Sequence, residues 1–237
     1  MSEEPKPVSN EHILEIRYKP NPRILDFRGT WAKAISEFME LPEWRIVENR
    51  LDVFSTDQSV HGFVGFGNCG LILLDTPTRN YFPDHATKLL KFLFELEGFG
   101  DPLFVQRLGV RSKFCNPYKG SFDDLRDRFS SKYMSLTEEA RQAIGQDVKL
   151  LDIGAPLNFA DKLGNFNTLS GPMVRDQFPR FFSRDQEFPD VGLYYDIDYW
   201  SKPEREIPSK EILRLVRGFS EAAWDRHGRL LDLILEG

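Results

Sequence analysis

The chain has 237 residues, a formal net charge of −6, 41% hydrophobic residues and 29% charged ones. That is an ordinary globular balance with length enough for one large domain or two small ones, and it excludes disordered and collagen-like chains. The acidic excess argues against a general nucleic-acid coat, and Cys69 and Cys115, far apart and without CxxC partners, make neither a disulfide framework nor a zinc site of the usual kind.

Residues 1–10 open acidic and Pro-rich, with no apolar h-region behind them, and read as a frayed tail ahead of one domain over 11–237. No apolar stretch is long enough to span a bilayer, so the expected setting is cytoplasmic. Ile13, Leu14, Ile16 and Tyr18 alternate loosely with Glu15, Arg17 and Lys19 as in a half-buried strand, and Pro20-Asn21-Pro22 stops it. Leu25 to Met39 is expected as a helix. Three strands are expected near Trp44–Phe54, Val60–Phe66 and Leu71–Asp75, then a helix opened by Pro83. Gly65-Phe66-Gly67-Asn68-Cys69-Gly70 lacks a Walker ending and reads as a tight hairpin.

The second half replays this order. Strand-like Phe104–Phe114 precedes helical Phe122–Met134, a short helix over Thr137–Ile144, three strands near Val148–Phe159, Phe166–Val174 and Val191–Trp200, and a last helix opened by Pro208. Ile16-Arg17-Tyr18-Lys19 echoes Val110-Arg111-Ser112-Lys113. Asn21-Pro22 echoes Asn116-Pro117, and Phe27 echoes Phe122 at the same offset. The pattern favours an internal duplication with halves 11–100 and 101–237. The fold class expected is α+β: two pseudo-symmetric strand–helix–three strands–helix repeats forming a mainly antiparallel sheet covered by helices. A groove where the halves meet is the expected binding place. The 20 phenylalanines are expected mostly in the core.

In Leu193–Trp200, period two sets Tyr194, Asp196, Asp198 and Trp200 on one face. Two aspartates so placed can share a divalent cation such as Mg²⁺, with Asp152 or Asp75 as further ligands. The structural alternative, and the stronger one, is cross-strand ion pairing with Arg17, Lys19, Arg111 and Lys113. A second group, Arg175, Phe178, Arg180, Phe181, Phe182 and Arg184, suits a nucleotide, a single strand or a protein interface, or simply a loop edge with Phe packed inward. His61 reaches Cys69 only through the fold, so a Cys–His dyad lacks local support. No nucleophile, zinc-protease or kinase motif occurs.

Ile13-Leu14-Glu15-Ile16-Arg17-Tyr18-Lys19-Pro20, with Tyr195-Asp196-Ile197-Asp198 and the long closing helix, resembles a sporadically distributed bacterial family of single-domain proteins of about this length without an assigned activity. The resemblance covers both ends well and the middle by element order only. It implies a bacterial, non-secreted protein and transfers no catalytic residue.

The expectation is therefore a non-enzymatic binding module holding a small-molecule ligand or a protein partner between its halves. The enzymatic alternative is Mg-dependent chemistry on a phosphate-containing substrate, with Asp196 and Asp198 on the metal. A third reading is a scaffold subunit of a bacterial assembly, such as one in phage defence. Homo-oligomerisation stays open. Duplicated units also build bacterial ligand-sensing domains and a saddle-shaped minor-groove binder, an analogy of fold and not of function.

Overall fold

The computed structural model describes residues 9–145, 148–184 and 186–236. Most of the expected tail, residues 1–8, lies outside them, and Ser9 and Asn10 already belong to the first strand. The fold is α+β. Strand β1 (Ser9–Tyr18) leads to α1 (Arg23–Met39), then β2 (Glu43–Val47), β3 (Arg50–Phe54), β4 (Val60–Gly65), β5 (Asn68–Leu74) and α2 (Tyr81–Glu95). There follow β6 (Leu103–Pro117), α3 (Phe122–Lys132), α4 (Glu138–Ile144), β7 (Ala155–Ala160), β8 (Asn165–Val174), β9 (Val191–Ser201), β10 (Arg205–Ile207) and α5 (Ser209–Leu231).

The strands form one ten-stranded sheet in the order β2-β3-β4-β5-β1-β6-β9-β8-β7, with β10 added on β6. Every described pairing is antiparallel. The centre is the β1–β6 seam, where Ile13 lies opposite Arg111 and Glu15 opposite Gly109. From it the order runs outward through β5, β4, β3 and β2 on one side and β9, β8 and β7 on the other.

Strand alternation decides what each face carries. Leu14, Ile16 and Tyr18 of β1, Leu108, Val110 and Phe114 of β6, and Tyr195, Ile197 and Tyr199 of β9 point to the helical side, where all are buried. The helices answer with matching stripes. Trp31, Ile35 and Met39 of α1 repeat at helical spacing, and Ile212, Val216, Phe219, Ala223 and Trp224 do so on α5. Each such buried side chain contributes about 1.5–3 kcal/mol of apolar transfer. The single main core thus runs the width of the sheet under α1, α2, α3 and α5.

Two local departures from the sequence reading have simple causes. Trp44–Phe54 is a hairpin rather than one strand, because Val47 and Arg50 pair across the two-residue turn Glu48-Asn49. Residues 148–154 take no regular structure, and β7 begins only at Ala155; their apolar side chains stay exposed at Val148 and Leu151, so no layer rewards strand formation there. No described helix is long and apolar enough to cross a membrane.

Candidate functional site: the uncovered face of the sheet

Among the described residues the face opposite the helices carries no helical layer. Its register brings together Arg45 of β2, Asp52 and Arg50 of β3, His61 and Phe63 of β4, Glu11, Glu15 and Arg17 of β1, Arg107, Arg111 and Lys113 of β6, and Asp196 and Asp198 of β9. These charges are arranged as a lattice. Lys113 lies directly opposite Glu11 and donates to it at 2.6 Å, with both side chains buried. Arg111 donates through Nε to Asp196 at 2.9 Å, and Arg107 donates to Asp198 at 3.0 Å. Arg107 also approaches Glu15 at 3.6 Å, and Arg17 donates to Glu15 at 2.9 Å.

Glycine makes this packing feasible at two positions that flank Glu15. A Cβ at Gly109 would stand 2.8 Å from the Arg107 guanidinium folded over it. One at Gly70 would stand 2.0 Å from the Leu14 carbonyl oxygen and 2.6 Å from the Phe63 ring. Both strands therefore stay bare where large side chains lie flat across them.

Toward the β2 edge, the Asp52 carboxylate is fully buried among Arg45, Arg50 and His61, with His61 Nε2 at 2.8 Å and Arg45 Nε at 3.1 Å. Burial works to raise its pKa, but the hydrogen bonds from His61 and Arg45 and the charge of Arg50 hold it below the ordinary carboxylate range. Asp198 shifts the other way: burial raises its pKa, and Arg107 and Arg111 offset that only in part. Hydrogen bonding to Asp196 raises the pKa of Arg111, which stays a fixed cation.

The segment made of residues 175–184 and 186–190 packs over one end of this face. It begins with a 3-10 turn, Arg175–Arg180, and forms a second apolar cluster from Phe178, Phe182, Phe188, Tyr194, Cys115 and Met173. It is fastened by Ser183, whose backbone N–H and hydroxyl both donate to the Glu11 carboxylate, at 2.7 and 2.9 Å. Ser9 also donates to the Glu187 carbonyl.

The predicted site residues fall into three sets. Arg111 and Lys113 sit beside the aspartates, as the ion-pairing alternative required; Arg17 lies one strand further away, and Lys19 is exposed beyond the end of β1. Arginines occupy the Asp196 and Asp198 carboxylates, and among the described residues no group of three or more His, Cys, Asp and Glu side chains could hold a metal ion, with Asp75 and Asp152 included. Phe178 and Phe182 are buried, whereas Arg175 and Arg180 face solvent, Arg175 paired with Asp190 at 3.0 Å. This is the inward packing of a loop edge, and it removes those two rings from the surface. Phe181 stays half-buried against Tyr194. Tyr194 is sealed beneath the segment, and Trp200 is half-buried with Lys202 over its ring.

His61 and Cys69 project from opposite faces of the sheet, since His61 pairs with Ile72 and Cys69 with Val64, so they form no dyad. Burial raises the pKa of both thiols. Neither cysteine of the native protein is expected to react with Ellman's reagent at pH 8, and both should react once denaturant is added. A thiol titrating at once in native buffer would contradict the packing around it.

Sequence reasoning missed Asp52, Arg107 and Glu11. For Asp52 the signal was present, because Arg45 and Arg50 flank the hairpin turn and Asp52 recurs two residues after Arg50. A separate groove of about 830 Å³ lies between α3, α4 and residues 148–152, with Ile144, Val148 and Leu151 exposed along it. Comparison with protein-family models and with curated proteins finds no match to this chain.

Proposed function

We propose that this chain is a non-enzymatic binding module of a bacterial cytoplasm, and that a protein partner docks on the uncovered face across the β1–β6 seam. The observation that carries the reading is the balance of that face. Counting Glu43 with the residues named above, six cations (Arg17, Arg45, Arg50, Arg107, Arg111 and Lys113) balance six carboxylates (Glu11, Glu15, Glu43, Asp52, Asp196 and Asp198) to no net charge, with Glu11, Asp52, Lys113 and Asp196 buried within the lattice and the others reaching solvent. A nucleic-acid backbone needs a surplus of cations to replace its counterions, which this face does not offer. A protein surface with its own paired charges is the complementary ligand, and Arg is favoured at such contacts.

The duplication belongs to the same proposal. The outward order β5, β4, β3 from β1 and β9, β8, β7 from β6 gives each half the same strand sequence in space, which supports two related units meeting at the seam. The groove expected between the halves is replaced, in this reading, by the open side of the β1–β6 pair. On the other side the seam is filled by His12, Phe82, Phe114 and Trp224.

A quantitative pull-down from the native host checks this, run beside a thermal-shift screen of metabolites. A partner retained by the wild type and depleted at least about tenfold by Arg17→Glu supports it, since about 1.4 kcal/mol at the interface suffices. Equal recovery by wild type and variant, or nothing bound in either assay, would sink it. Mg²⁺ titration by calorimetry addresses the metal-enzyme alternative, in which the ion must displace Arg111 and Arg107 from their carboxylates.

A further inference from the structure

Strand β2 ends the sheet, and among the described residues none pairs with its outer edge. All of its residues are exposed, with Trp44 at 51%, Ile46 at 41% and Val47 at 41%. The opposite edge strand, β7, is blunted by Pro156, but β2 has no proline, lysine or bulge within it. The hairpin register settles which backbone groups are free. Val47 pairs with Arg50 across a two-residue turn, so the N–H and C=O groups of Val47, Arg45 and Glu43 face β3. Those of Trp44 and Ile46 point outward, and the same alternation carried one residue further turns the C=O of Pro42 outward too.

We infer that β2 is a homodimer edge, where two copies pair β2 to β2 antiparallel about a twofold axis at Trp44. Only residues with outward groups can bond across the edge, so two close registers compete. One centres on Arg45, bonds Trp44 to the partner's Ile46, and sets Arg45 against the partner's Arg45. The other centres on Trp44, bonds Trp44 to the partner's Trp44 and the Ile46 N–H to the carbonyl of the partner's Pro42, and sets Glu43 opposite the partner's Arg45, twice. Both make the same number of backbone hydrogen bonds. Charge decides between them, because like charges directly opposite on a sheet are destabilising and opposite charges stabilising. The chosen register also gathers Pro42, Trp44 and Ile46 of both copies into one apolar stripe on the helical side of the sheet.

A twofold of this kind runs perpendicular to the sheet, so the two uncovered faces join as one continuous surface. The inference stands apart from the partner reading above: a dimer forms or fails whether or not anything docks on that face.

Light scattering coupled to size exclusion is expected to give twice the 27.5 kDa of one chain for the wild type. Ile46→Pro, which deletes an outward N–H, should give the monomer. Glu43→Arg and Arg45→Glu should each be monomeric alone, yet form a heterodimer when mixed. In the mixed pair the introduced arginine meets the introduced glutamate, and the Arg45 kept by one chain meets the Glu43 kept by the other. Thermal unfolding of each variant checks that it is folded, since Arg45 also serves Asp52. Oxidation tests the register directly: Trp44→Cys should give a disulfide-linked dimer, because residues opposite at the twofold stand about 5.5 Å apart at Cα, within disulfide reach. The buried Cys69 and Cys115 do not interfere. A monomeric wild type, or cross-linking by Arg45→Cys in place of Trp44→Cys, overturns the inference.

Discussion

Lowering the pH from 8 to 5 is expected to remove about 4 kcal/mol of stability through two histidines alone, each approaching about 1.4 kcal/mol per pH unit once the pH is below 6.5. His12 on β1 and His227 on α5 are both buried against the Phe114 ring, His12 edge-on and His227 stacked. His12 stacks between Phe82 and Trp224, with Ser112 Oγ at 2.9 Å from Nδ1. His227 stacks on Phe114, approaches Tyr195, and accepts a hydrogen bond at Nε2 from the Asn116 amide at 2.7 Å. None of these neighbours is acidic. Burial lowers the pKa of each ring from 6.5 to about 3, and for His227 the charge of His12 adds to the effect.

The sign follows from the proton count. Well above pH 6.5 both rings are neutral whether the chain is folded or not, and stability is fully present. As the pH falls below 6.5 the unfolded chain binds two protons that the folded chain refuses until about pH 3, so stability is lost across that window. Against a typical total of about 5–15 kcal/mol, that loss is enough to unfold a marginal domain near pH 5. Urea unfolding at half-unit pH steps measures the slope, and His227→Gln should flatten it by about one proton. A stability unchanged between pH 7 and pH 5 would show that the rings are not enclosed as described.

The second large effect concerns Glu11→Ala, expected to cost about 3–5 kcal/mol because it strands a buried lysine. Among the described residues Lys113 has no other carboxylate as a hydrogen-bond or ion-pair partner, and Ser183 loses both of its bonds to the same side chain. The segment 175–190 should therefore loosen as stability falls. Amide exchange resolves the two consequences: protection in 175–190 should drop first, and protection in α1 should follow only global stability. Replacing both partners, Glu11→Ala with Lys113→Met, should recover part of the loss, since no charge is then left buried alone. An additive double variant would mean that the two side chains do not act as a pair.

Much of the fold was legible because strand and helix periods are strong in this chain. The β1 alternation, the α1 and α5 stripes, and the order of elements in both halves follow from apolar spacing alone. The Leu193–Trp200 face was also readable, as was its ion-paired alternative, because period two left little freedom. The site was harder. Glu11 and Asp52 are ordinary acidic residues in sequence: Glu11 is buried only when Lys113, 102 residues on, is brought to it, and Asp52 only once the β2–β3 hairpin turns Arg45 onto its face. His12 falls on the helical side of β1, so an expectation of a packed histidine was reachable, but its pairing with His227 across Phe114 was not. Turns at Glu48-Asn49 and the late start of β7 depend on which side chains find a covering layer, and sequence periodicity does not report that.

The position of β1 has a further consequence during synthesis. Its two sheet neighbours are β5, about fifty residues on, and β6, about ninety residues on. Translation at about 5–20 residues per second leaves the β6 side of β1 open for roughly 5–20 s, the last few of them after β5 has been made. For that interval the nascent chain presents Leu14 and Ile16 beside an unpaired backbone ladder, in the middle of what becomes the sheet. Glu11, Glu15 and Arg17 on the opposite side of the same strand are the residues placed to discourage its capture by a neighbouring chain.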